Sequence, residues 1–231
     1  MPKIGIPLRY TRLPNGRCIL YLGEKVRRCV QKAGGFVVPI VQPQDVDYMD
    51  TRYDEFEELT DREKESVEQY LDLVDGAFIP GCNKVTPYDK YFLERCTERD
   101  LPTLGVCIGM QLMSCAGEEF FKVYEIKSQV EHFQEHDHTL AHKIQIRKDT
   151  LLFNILEREE IFVNSYHFYH AVVRNRYIVN AYSEDGIVEG IELPDRTFHL
   201  GIQWHPEISY DFDENSRKII DYFICECRKK E

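Results

Sequence analysis

The sequence predicts an α/β fold built as an open, mainly parallel sheet with helices on both faces. Three observations point to it. Strand-like and helix-like segments alternate through the first half of the chain, the order that strand–helix–strand units leave in a sequence. Residues 36–41 form a continuous apolar run, as expected of a parallel strand buried on both faces. At Gly105-Val106-Cys107-Ile108-Gly109 a strand turns directly into a helix with a cysteine between two glycines, the arrangement of a nucleophile elbow.

Element by element, the chain opens on a strand at residues 3–7, and residues 24–33 read as a helix closed by Gly34-Gly35. The apolar strand 36–41 follows, then an acidic stretch, 48–58, that has no period and reads as a mobile loop. Thr60-Asp61-Arg62-Glu63 is a capping box, because Thr60 and Glu63 can each satisfy the other's backbone N–H, and its helix runs to about Leu73. Residues 75–80 make a third strand ending at Gly81. Thr86-Pro87 starts the next helix, through Cys96, since proline fits a first helical turn. The short strand 103–106 leads into Cys107, and 108–116 is the helix behind it. Beyond this point the pattern is β-rich, with strands at 143–147, 160–164, 177–181 and 187–193, the last two joined through Glu184-Asp185-Gly186. A final strand, 199–204, ends at His205. In the closing helix, about 215–228, Ile220, Phe223, Ile224 and Cys227 share one face and predict packing on the sheet. No repeat, low-complexity tract or linker divides the chain, so residues 1–231 read as a single domain.

Composition narrows the function classes. A chain of 231 residues with 43% hydrophobic content has a core to bury and is not disordered. Its 29 basic and 40 acidic residues give a formal charge of -11, which repels polyanions, so neither nucleic acid nor an anionic membrane is the expected partner. No apolar run approaches the roughly 20 residues of a membrane helix, and the N-terminus lacks a signal-peptide pattern, so a cytoplasmic location is expected. In that compartment the eight cysteines read as free thiols. Cys225 and Cys227 lie two apart in a helix, point to different faces and do not form a zinc pair.

The chemistry concentrates at two places. A tight turn at Cys107 exposes the thiol at the carboxyl end of the sheet, the flanking glycines remove crowding Cβ atoms, and the helix start favours a thiolate. A nucleophilic thiol needs a base and a group that orients the base. Trp204-His205-Pro206-Glu207 supplies both at the end of the last strand, where open parallel sheets gather their chemistry. Two residues apart in an extended segment, His205 and Glu207 would share one side of the chain.

These motifs resemble a known family. Gly-Val-Cys-Ile-Gly-Met-Gln at 105–111 and Gly-Ile-Gln-Trp-His-Pro-Glu at 201–207 are similar to the class I glutamine amidotransferase signatures. Val163-Asn164-Ser165-Tyr166-His167 and the segment 185–192 resemble its γ-glutamyl-γ-aminobutyrate hydrolase branch. The resemblance spans most of the chain and implies a flavodoxin-like sheet. It implies a hydrolase that cleaves a γ-glutamyl amide through a γ-glutamyl thioester on Cys107, with His205 carrying the proton and Glu207 orienting the imidazole. The oxyanion would meet the backbone N–H groups of Ile108 and Gly81, while Gln111, Ser165, Tyr166 and His167 would hold the glutamyl moiety. No cofactor or metal is implied, and the partner is a small-molecule γ-glutamyl amide. A homodimer or a synthase partner stays open, the latter under the alternative of a glutaminase subunit that delivers ammonia. The chain departs from the hydrolase branch at Ile108, at Gly81-Cys82-Asn83 and at His167-Phe168-Tyr169-His170. All three lie on the leaving-group side, so γ-aminobutyrate itself is not implied.

Two weaker features complete the reading. Glu131, His132, Glu135, His136, Asp137, His138 and His142 crowd one polar segment without regular ligand spacing; a metal site is the lesser alternative, and a solvated loop at the mouth of the site, with His142 structural, is the expected reading. The helix near 63–73 and the loop before it either cover the pocket or form a solvated charged face.

Overall fold

A computed structural model describes residues 1–51, 55–117, 121–134 and 139–229. Its first half runs β1 (Lys3–Pro7), β2 (Arg9–Arg12), β3 (Cys18–Tyr21), α1 (Glu24–Lys32), β4 (Phe36–Ile40), α2 (Asp61–Leu71), β5 (Gly76–Ile79), α3 (Pro87–Glu98), β6 (Thr103–Val106) and α4 (Ile108–Ser114). The second half runs β7 (Tyr124–Glu125), β8 (His142–Ile146), α5 (Leu151–Leu156), β9 (Glu160–Val163), β10 (Tyr169–His170), β11 (Ile178–Ser183), β12 (Val188–Glu192), β13 (His199–Ile202), α6 (Pro206–Ser209) and α7 (Glu214–Arg228).

Nine strands form one sheet in the order β4-β1-β5-β6-β13-β12-β11-β8-β9. The five from β4 to β13 are mutually parallel, and from β13 onward each neighbour is antiparallel. Helices cover both faces. On one, Phe223, Ile220 and Ile224 of α7 join Val26 and Val30 of α1 over Ile4, Phe78 and Leu104. On the other, Val67, Tyr88, Phe92, Met110 and Met113 from α2, α3 and α4 pack over Ile79 and Ile191. The expected flavodoxin-like arrangement is therefore present, extended by an antiparallel half. Among the described residues no helix is long and apolar enough to cross a membrane.

Local chemistry explains the boundaries. The capping box of α2 forms, with Thr60 accepting from the Glu63 N–H and Glu63 accepting from the Thr60 N–H. A second one, between Thr86 and Asp89, opens α3. Helix α1 ends where Gly34 takes φ +89° and the Gly35 N–H reaches back to the Val30 carbonyl, a geometry that a side chain would resist.

The structure corrects the sequence reading in several places. Strand β4 is not buried on both faces: it lies at the sheet edge, Phe36 is 52% exposed, and Pro39 is accommodated because an edge strand can lack a donor. The hairpin of β2 and β3, turned at Pro14-Asn15-Gly16 with Gly16 at φ +84°, is an addition to the expected elements, as is the six-residue α5. Helix α2 does not cover the pocket; Glu68 accepts from Arg95 and Tyr91 and binds it to α3. The loop after Val46 is docked where it is described, since Tyr48 stacks on Tyr10 and the Lys84 ammonium donates to the Tyr48 and Met49 carbonyls.

One buried ion pair ties the hairpin to the sheet. Arg9 donates to Asp89 at 2.6 Å and to the Pro80 carbonyl at 2.8 Å, and both side chains of the pair are almost fully buried. Asp89 also accepts from the N–H and hydroxyl of Thr86. Arg9→Met would leave this carboxylate buried without its counter-charge, and unfolding by denaturant should show a loss of about 3–5 kcal/mol. A loss below about 1 kcal/mol, the level of an exposed pair, would mean that the pair does not hold the fold.

Candidate active site

The turn at Cys107 is set by packing. Gly109 lies so close to β5 that a Cβ there would come within 2.3 Å of the Ile79 carbonyl oxygen, and a Cβ on Gly105 would meet the Gly109 backbone at 2.8 Å. With both glycines in place, α4 starts directly on the sheet and Cys107 adopts φ 54°, ψ -110°, a conformation outside the left-handed helical well. Two backbone bonds hold it: the Cys107 N–H donates to the Ile202 carbonyl at 2.8 Å, and its carbonyl accepts from the Gln111 N–H at 3.0 Å. The half-buried thiol thus stands at the carboxyl ends of β5, β6 and β13.

His205 follows β13 and caps α6. Its Nδ1 lies 2.7 Å from Glu207 Oε1, and since a carboxylate only accepts, Nδ1 carries the proton and Nε2 is left for the neighbouring Cys107 thiol. The contact differs from the extended geometry expected from the sequence. Glu207 sits in the first turn of α6, and it is that turn that swings its carboxylate back to the ring. Burial by itself would lower the imidazole; the Glu207 carboxylate and the Cys107 thiol outweigh it and hold His205 well above its ordinary value.

Asn164, fully buried at the end of β9, fixes His205 from behind. Its Oδ1 accepts from the His205 N–H at 2.8 Å, and its Nδ2 donates to the His205 carbonyl at 2.8 Å and to Ser209 Oγ at 3.1 Å. Sequence reasoning alone assigns Asn164 no role of its own. A polar residue at the buried end of a strand is a signal, but its partner lies 41 residues away.

Gly81 closes the opposite side. A Cβ on it would come within 3.0 Å of His205 Cε1 and 3.4 Å of Cys107 Cβ, so this glycine, the thiol and the base converge on one point. A cavity of about 560 Å³ opens beside them, lined by Cys107, Ile108, Gln111, Tyr166, His167 and Phe168 among others. Tyr166 meets the His205 ring edge to face with centroids 5.5 Å apart. Of the residues expected to hold a glutamyl group, Gln111, Tyr166 and His167 line this cavity. Ser165 does not: it is fully buried behind the wall, its hydroxyl donating to the His132 carbonyl at 2.8 Å.

The His-rich segment is only partly a solvated loop. Glu135, His136, Asp137 and His138 lie outside the described residues, whereas His132 and His142 are each 5% exposed and gather with His167 around Glu189. Nothing local in the sequence marks Glu189 as a site residue.

The Peptidase C26 family model matches residues 4–207. The γ-glutamyl-γ-aminobutyrate hydrolase PuuD of Escherichia coli is 28% identical over 98% of this chain and 94% of its own. Protein NtpR of Enterococcus hirae is 28% identical over 98% of this chain and 99% of its own. Among solved structures, the glutaminase domain of Trypanosoma brucei CTPS with bound acivicin superposes with a TM-score of 0.69 at 15% identity, covering 100% of this chain and 95% of that one. A putative GMP synthase subunit from Thermoplasma acidophilum gives 0.67 at 18% identity, with 100% and 96% covered. At these identities the two structures speak for the fold.

The raised His205 pKa makes a titration test. Because the folded value lies above the unfolded value of about 6.5, its contribution to stability is full below that value and lost as pH rises through the folded pKa. Glu207→Gln removes the carboxylate, so the imidazole NMR titration of His205 should move down toward the ordinary range. An unchanged midpoint would mean that Glu207 does not set the charge of this ring.

Proposed function

Since the chain belongs to the Peptidase C26 family, a class I glutamine amidotransferase-like family, we propose that it hydrolyses the amide C–N bond of a γ-glutamyl amine, releasing glutamate and the free amine. The observation that carries this reading is the grouping of Cys107, which lines the cavity, with His205 across Gly81 and with Glu207 Oε1 2.7 Å from His205 Nδ1.

In this reading the Cys107 thiolate attacks the γ-carbonyl carbon, and the oxyanion that forms meets the N–H groups of Ile108 and Gly81. Collapse breaks the C–N bond as His205 Nε2 gives its proton to the departing nitrogen. The γ-glutamyl thioester is then attacked by water, which His205 deprotonates, and glutamate leaves with the thiol restored. Glu207 keeps the ring in the required tautomer throughout and offsets its charge. Gln111 donates through Nε2 to the Tyr169 carbonyl and to Gln203 Oε1, which presents its own carbonyl oxygen to substrate. An acceptor there suits the α-ammonium of the glutamyl group. Beyond the thiol the cavity runs along Val85, Phe121, Val123 and Phe168, a largely apolar wall with far more room than ammonia needs. This favours an amine with an apolar body over the glutaminase alternative. Residues 1–231 act as one domain in this reading, in the cytoplasm and without a cofactor.

The test is glutamate release by the purified chain from glutamine and a panel of γ-glutamyl amines. Cys107→Ala should abolish release, and His205→Ala should lower kcat by about 10²–10⁴-fold. Gly81→Ala, which crowds the ring and shifts one oxyanion donor, should cost about 10²–10³-fold. Silence on every amine, with glutamine cleaved only when a synthase is added, would replace the hydrolase by a partner-dependent glutaminase.

A further inference from the structure

Beside the cavity, four side chains from four segments gather, and the ligand atoms of three, His132, His142 and Glu189, all lie within 4.8 Å of one another. His132 comes from the loop before β8, His142 opens β8, His167 follows β9, and Glu189 lies on β12. Their side chains are no more than 4% exposed. His132 Nδ1, His142 Nε2 and His167 Nε2 stand 3.3, 3.2 and 3.6 Å from the same oxygen, Glu189 Oε1, and His132 Nδ1 is 3.3 Å from His167 Nε2. Nitrogen and oxygen ligands at the 2.0–2.1 Å typical of zinc form a tetrahedron with edges of about 3.3–3.4 Å. Two of the three edges of the His132, His142 and Glu189 group therefore fall near that length, the third lies within 4.8 Å, and His167 approaches two of its members.

The outward nitrogens argue the same way. His132 Nε2 faces Asp185 Oδ2 at 3.0 Å, His142 Nδ1 faces the Glu131 carbonyl at 2.9 Å, and His167 Nδ1 faces the Tyr169 carbonyl at 3.1 Å. Each partner is an acceptor, so each outward nitrogen bears the proton, and in a neutral ring the inward one is a lone pair. Three lone pairs and a carboxylate then face each other in a buried space, a cost relieved only by an added proton or a cation. A metal-bound histidine whose other N–H is held by a carboxylate or carbonyl is the usual second layer of such sites. Glu189 Oε2 is buried and has no hydrogen-bond partner among the described residues, as a second ligand oxygen or a relaxed bidentate carboxylate would explain. The carboxylates of Glu189, facing the inward nitrogens, and of Asp185, behind His132, bring two acidic groups to the charge of one divalent cation.

We propose that His132, His142 and Glu189 bind one first-row divalent cation, zinc by geometry, in a structural site whose fourth position His167, 3.3 Å from His132 Nδ1, closes by moving inward. Tetrahedral coordination by imidazole and carboxylate favours zinc over magnesium or calcium, which take more oxygen ligands. With no open position, the ion would not act on substrate. It would clamp the Tyr166–His167 loop to β8 and β12, and so hold Tyr166 against the His205 ring.

The test uses the full-length chain, purified without a metal-affinity tag and stripped with a chelator. Adding ZnCl₂ should leave one zinc per chain after gel filtration, with a raised Tm. CoCl₂ should give the intense visible bands of tetrahedral cobalt, discharged by zinc. Glu189→Gln and His142→Ala should lose both signals, and Asp185→Asn, which removes only the second layer, should weaken zinc binding about 10–100-fold. Cys225→Ser, on the exposed face of α7, should retain one zinc. Absence of stoichiometric zinc and of the cobalt bands in the wild-type chain overturns the proposal whatever the variants do, and leaves an imidazolium–carboxylate network in its place.

Discussion

The backbone at Cys107 carries the constraint on which the site depends. A non-glycine residue at φ 54°, ψ -110° stores about 1–3 kcal/mol of strain, and the surroundings must over-determine it. They do so from two directions. Gly105 and Gly109 allow α4 to press onto β5 and β6 closer than any Cβ would permit, while the Ile202 carbonyl on β13 accepts from the Cys107 N–H. The same approach that bends the chain also aims the thiol out of the sheet and places the Ile108 amide beside it. Thiol position and amide position are thus consequences of one packing contact.

A second constraint is the change of direction within the sheet. The parallel half carries Gly81 and Cys107 at its carboxyl ends, and the antiparallel half carries Asn164, His142 and Glu189. Strand β13 belongs to both halves, pairing parallel to β6 and antiparallel to β12, and His205 emerges from its end. The imidazole is held from one half by Asn164 and meets a thiol held by the other. Arg9 adds a third tie, since the guanidinium that neutralises Asp89 also binds the Pro80 carbonyl next to Gly81. The glycine turn facing the thiol therefore rests on a buried ion pair.

What can be read from the sequence is whatever is encoded within a few consecutive residues. Cys107 between its glycines, the capping box at Thr60 and the helix start at Thr86-Pro87 are local patterns, and each lies where the pattern predicts, whereas Glu207 meets His205 through a helical turn and not the expected extended segment. Long-range partnerships are not legible. Strand β4 has the composition of a central strand, but its edge position follows from strand order and not from its own residues. The Asn15-Gly16 turn is a hairpin signal, but a faint one, because the flanking strands, with Arg9, Arg12 and Thr11, are too polar to alternate cleanly. The cluster of His132, His142, His167 and Glu189 spans 58 residues from first to last and is assembled only by the pairing of β8, β11 and β12. Ser165, by contrast, sits within a legible motif, and only its burial shows that its hydroxyl serves the loop behind the cavity.

The central claim is that Cys107 is the nucleophile for a γ-glutamyl carbonyl, and covalent trapping tests it most directly. The chain would be treated with an electrophilic glutamine analogue, with and without an excess of a γ-glutamyl amide, and the adduct located by mass spectrometry of the intact chain and its peptides. The account predicts a single adduct on Cys107, blocked by the amide and absent from His205→Ala. Adducts spread over the exposed Cys18 and Cys225, with Cys107 unmodified and no protection by the amide, would contradict it.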